Sequence, residues 1–110
     1  MLSVELLVAE GDNRRAPRRR VRMPGRMTTS NSWRAVCRIV DISRYGVRLE
    51  TLHALPVGQP LWITLPGERP RKGAVAWADG QQAGCVFDKP LDKALVDSLI
   101  ARFSEPDTVN

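Results

Sequence analysis

The chain has 110 residues, 43% of them apolar and 26% charged, the make-up of one folded domain rather than of a disordered or collagen-like polymer. Its net charge of +5 is unevenly spread: residues 13–49 hold eleven arginines against one acid, Asp41, for a local charge of +10, and the remainder sums to −5. No apolar run approaches the roughly 20 residues of a membrane helix, and the first residues lack a basic leader and a small-residue cleavage site, so the expectation is a soluble, unexported, cytoplasmic protein with no membrane span.

Residues 3–10 carry Val4, Leu6, Leu7 and Val8 and read either as a short strand or as a loose helical turn; residues 1–13 are taken as an N-terminal extension, a possible short strand or disordered. Residues 14–26 follow with seven arginines in thirteen positions, and Pro17 and Pro24 argue against a continuous helix. An extended arm to Arg20 and a first strand over Val21 to Thr28 are predicted. From Trp33 to Asp41, Ala35, Cys37 and Ile39 share one face of a strand and Arg34, Val36 and Arg38 the other. A turn at Ser43, Arg44, Tyr45 and Gly46 leads to a strand in which Val47, Leu49 and Thr51 alternate with Arg48 and Glu50. After Pro56 and Gly58, Leu61, Ile63 and Leu65 alternate with Trp62 and Thr64 until Pro66 and Gly67 end the strand. Residues 71–78 and 82–87 form a hairpin about Asp79-Gly80. Short strands at this spacing favour an antiparallel barrel or a sandwich. The last element differs: Leu91, Leu95, Leu99 and Phe103 recur every fourth residue, with Val96 and Ile100 widening the stripe. This predicts an amphipathic helix over 91–103 with Pro90 at its first turn, docked on the barrel, and a tail over 105–110.

The basic half of the chain points to an anionic partner carrying phosphate, because arginine offers a planar fork of donors to phosphate and to guanine edges and stacks on bases. Charge alone does not separate a nucleotide from nucleic acid or an acidic membrane surface. Cys37 and Cys85 sit in apolar stretches without metal-site spacing and read as small buried hydrophobes. Trp33, Trp62 and Trp77 read as core or rim packing, and His53 as a surface residue without partner ligands. No metal site is expected. The chain shows no paired carboxylates in one motif, no nucleophile arrangement and no glycine-rich phosphate loop, so an enzyme is not expected.

Two local patterns occur together. Arg-x-x-x-Arg is met by Arg14 with Arg18 and by Arg15 with Arg19, and Asp41-Ile-Ser43-Arg-Tyr-Gly46 comes after them. In this order, with the strand ending in Trp77 and the later Gly84-Cys-Val-Phe87, the sequence resembles the PilZ family over roughly Arg14 to Phe103. The resemblance implies a mainly β fold, a six-stranded antiparallel β-barrel with a C-terminal α-helix, spanning residues 14–104. It also implies a ligand, cyclic di-GMP, held by Arg14, Arg15, Arg18, Arg19, Asp41, Ser43 and Gly46, with no catalytic residues and no other cofactor.

The residues suit that ligand. Two phosphates and two guanine Hoogsteen edges need cationic forks, which the arm supplies, and the donors on the guanine's other edge need an acceptor, for which Asp41 is the one acid in the basic half. Ser43 offers a hydroxyl to phosphate or holds the turn, and Gly46 either takes a positive φ or lets a ligand approach the backbone. The register of the arginine pair stays open, and with it a stoichiometry of one or two ligand molecules. A receptor of this family signals through a downstream protein, in motility, attachment or polysaccharide control. The alternatives are a PilZ-like adaptor that does not bind the nucleotide and a small basic nucleic-acid-binding barrel; six aromatic residues, mostly at core-like positions, argue against the last.

Overall fold

Alternation of apolar and polar residues builds the strands, and in a computed structural model describing residues 18–29 and 33–104 it closes them into a barrel. The N-terminal extension, Arg14, Arg15 and the 105–110 tail lie outside the described residues. Strands β1 (Arg19–Thr29), β2 (Arg34–Ile42), β3 (Gly46–Glu50), β4 (Pro60–Thr64), β5 (Arg71–Asp79) and β6 (Gln82–Phe87) precede one helix, α1 (Lys93–Phe103). All strand pairs are antiparallel, in the order β1-β2-β3-β6-β5-β4, and β4 closes back on β1. This is the predicted six-stranded barrel with its C-terminal helix.

In β1, Val21, Met23 and Met27 face the interior while Arg20, Arg22, Pro24 and Arg26 face out. Ile39, Ile42, Leu49, Leu61, Ile63 and Val75 complete a core that also takes in Leu91, Val96 and Leu99. Pro24 is tolerated because β4 pairs with β1 only from Arg26 onward, leaving the stretch around it with one strand neighbour among the described residues. Cys37 and Cys85 are free thiols. Burial pushes Cys37 up to about 11, and burial together with the charge of Cys37 pushes Cys85 up to about 12. Both thiols are therefore neutral at physiological pH.

Several boundaries differ from their predicted places by one residue, and two differ by two residues. Strand β1 begins at Arg19 rather than Val21, so the end of the arginine arm is part of the sheet. Helix α1 begins at Lys93 rather than Leu91, because Leu91 exchanges two hydrogen bonds with Arg44: its N–H donates to the Arg44 carbonyl at 2.7 Å, and Arg44 Nε donates to the Leu91 carbonyl at 2.9 Å. Pro90 thus precedes the helix instead of opening it. The far end of α1 is tied as well, by a bridge between Ser104 and Val21. No helix among the described residues is long and apolar enough to cross a membrane.

Candidate functional site

Strand register decides which predicted site residues meet. Arg19 lies opposite Ile42 and Arg20 opposite Asp41, so the end of the arm runs beside the 41–46 segment instead of hanging away from it. Arg18 is exposed one residue before the strand. Arg18, Arg19, Asp41, Ser43 and Gly46 are thus brought to one end of the barrel, where β1 begins and β2 turns into β3.

Asp41 owes its orientation to a β-bulge. Ile39 faces the core, so strict alternation would also send the Asp41 carboxylate inward, at a large desolvation cost. Register instead slips between Ile39 and Asp41 against β3 and between Arg20 and Met23 on the other side. The extra residue re-aims the side chains after it: Ile42 takes the core position, and Asp41 shares the outer face with its cross-strand partner Arg48. Arg48 Nε donates to Asp41 Oδ2 at 2.7 Å, and Arg48 Nη1 donates to Gln82 Oε1 at 3.5 Å. Asp41 is 8% exposed although it belongs to the outer face, so the guanidinium covers it as well as pairing with it.

Arg48 is a site residue that the sequence motifs miss. Counting outward from the turn finds it, since Ile42 pairs with Val47 and Asp41 with Arg48. The same row continues through Gly84 to Trp77. A Cβ on Gly84 would overlap the Trp77 indole, so the glycine makes room for the ring to lie against the sheet. Arg20, Asp41, Arg48, Gly84 and Trp77 therefore form a band across five strands.

The turn itself is held from several sides. The Ser43 N–H donates to the Gly46 carbonyl at 3.0 Å, and Ser43 Oγ accepts from the Tyr45 N–H at 3.1 Å. Ser43 is 4% exposed, and in this structure its hydroxyl holds the turn. The Tyr45 carbonyl accepts from the Phe87 N–H at 2.9 Å, and the Arg44 guanidinium lies 5.7 Å from the Tyr45 ring centroid, within range of a cation–π contact. Gly46 does not have the positive φ considered from sequence; among the described glycines that conformation belongs to Gly58, Gly67 and Gly80. Its side chain is missing for another reason: a Cβ there would overlap the Cys85 carbonyl of β6.

The site thus presents an oriented carboxylate with arginines on both neighbouring strands and an exposed arginine at the entrance. It can accept from paired N–H donors while placing cationic forks around an anion. Among solved structures the fold is similar to the PilZ domain of CeSA from a cellulose-synthesizing bacterium, with a TM-score of 0.56 and 16% identity, covering 77% of this chain and 91% of that one. No curated protein matches the sequence. The family model of the PilZ domain matches residues 12–105, taking in the arginine arm, the 41–46 turn, the whole barrel and its helix, and the chain accordingly belongs to the PilZ family.

Proposed function

We propose that this protein is a cyclic di-GMP receptor, not an enzyme, which acts in the cytoplasm, changes conformation on ligand binding and passes the signal to a protein partner. One observation carries the reading: the end of the arm pairs directly with the strand that bears Asp41, while Arg48 holds that carboxylate from the other side. Phosphates and guanine Hoogsteen edges call for arginine forks, and the guanine N–H donors call for a carboxylate; membership of the PilZ family favours the same ligand. Arg14, Arg15, Arg18 and Arg19 are assigned to phosphate and base, Asp41 to the guanine donors, and Ser43 and Gly46 to the shape of the turn. Control of motility, attachment or polysaccharide production is the output that fits such a receptor.

Calorimetric titration with cyclic di-GMP, cyclic di-AMP, GTP and a short RNA tests this reading. Cyclic di-GMP should bind best. The double substitution Arg18→Ala with Arg19→Ala should weaken it about ten- to a hundredfold or more, since each hydrogen bond to a charged group contributes roughly 1.5 to 3 kcal/mol. Asp41→Ala should lower affinity and also relax the preference for guanine over adenine. Equal binding of both cyclic dinucleotides by the unsubstituted protein would remove the receptor reading and bring forward the adaptor or the nucleic-acid-binding barrel.

A further inference from the structure

The exposed large apolar side chains among the described residues are Trp33, Val36, Leu52 and Val57. All four lie toward the end of the barrel away from Asp41. Leu52, 83% exposed, and Val57, 62% exposed, belong to the β3–β4 loop. Trp33, 37% exposed, stands just before β2 and meets His53 of that loop edge to face, with ring centroids 4.7 Å apart. Val36, 76% exposed, is on the outer face of β2 opposite Arg26, between Arg34 and Arg38. Neither Arg26 nor Arg34 has an acidic partner among the described residues, and Arg38 reaches Glu50 only at 3.9 Å. Asp79, the other acid at this end among the described residues, is on β5, across the barrel from β2.

We propose that this end, with Trp33, Leu52 and Val57 at its tip and Arg26, Arg34 and Arg38 beside it, is a docking surface for an anionic lipid bilayer. Three kinds of side chain coincide there, each suited to one depth of the interface. Aliphatic tips enter the acyl boundary, an indole sits at headgroup level, and guanidinium forks meet lipid phosphates. A nucleic acid is a poorer occupant, because Val36 rather than a stacking ring stands between the arginines. A protein partner would need roughly 800 Å² of matched surface, whereas these apolar groups project from a loop and a strand end. The barrel would dock with the Asp41 end turned away from the lipid and open to solvent.

Flotation of the full chain with vesicles, without nucleotide, tests this independently of the receptor reading. The protein should float with vesicles of equal parts phosphatidylcholine and phosphatidylglycerol and stay behind with phosphatidylcholine alone. Leu52→Asp with Val57→Asp, and separately Arg26→Glu with Arg34→Glu, should each lower partitioning by about tenfold or more while leaving the melting temperature unchanged. Quenching of tryptophan fluorescence by brominated lipid should be seen in the unsubstituted protein and lost in Trp33→Phe. Failure to float with the anionic vesicles overturns the proposal. So does flotation that the Leu52 and Val57 substitutions leave intact, which would assign the attraction to the arginine arm.

Discussion

The β5–β6 turn holds Gly80 at a φ of 62°, with open space where a Cβ would stand, whereas the β2–β3 turn ends at Gly46, whose missing Cβ leaves room for the backbone of another strand. The first glycine answers a local demand of the chain; the second answers a demand made by β6, which lies far away in sequence. The first turn would serve any hairpin. The second is fixed to the 87–91 segment through Tyr45 and Arg44 and to itself through Ser43, so the side chains it carries are held in place before any ligand arrives.

The sharpest way to break this contrast is Gly46→Ala. The obstacle is a backbone carbonyl, which cannot rotate aside, so the cost should be about 3 kcal/mol or more in urea unfolding, or outright loss of the fold. A variant of ordinary stability would show that β6 yields and that the turn is less fixed than its bonds indicate. Next in size, a double-mutant cycle of Asp41→Asn and Arg48→Gln should give each single change a cost of about 1.5 to 3 kcal/mol and a clear coupling between them. Additive effects would mean that the pair is not what orients the carboxylate. Gly80→Ala should cost only about 1 kcal/mol, the penalty of the left-handed conformation in open space.

The smallest effect concerns the wall behind Gly46. Cys85 and Cys37 are acids whose burial raises them above the ordinary 9.0, to about 12 and about 11. The folded state therefore holds protons that the unfolded chain releases, and their contribution is complete below pH 9 and is lost as pH rises toward 11 and 12. Cys37→Ser with Cys85→Ser should flatten that alkaline decline. An unchanged profile in a folded double variant would show that the thiols do not contribute to it.

The same contrast explains what the sequence could disclose. Asp79-Gly80 marks its turn locally, and the fourfold spacing of Leu91, Leu95, Leu99 and Phe103 marks the helix. That spacing places the helix start too early because Leu91 is bonded to Arg44, a residue 47 positions away. Arg18, Arg19, Asp41, Ser43 and Gly46 are legible as a motif, but the role of Gly46 depends on β6 and cannot be read locally. Arg48 looks like one more outward residue of an alternating strand. The clue lies in Asp41 itself: an acid at the next inward position after Ala35, Cys37 and Ile39 implies a bulge, and the bulge places it opposite Arg48.

The tether between Ser104 and Val21 has a consequence for solubility. Strand β1 pairs with β4 only over 26–29, and from Arg19 to Gly25 its other side has no strand neighbour among the described residues. An uncovered strand margin is a template for another chain. Helix α1 lies against β1 and is bridged to it within that stretch, so it shields the margin, and the outward arginines add charge repulsion against a second copy. A chain cut before Asp92 would lose part of its core and also uncover this stretch, and its failure would be self-association as much as unfolding.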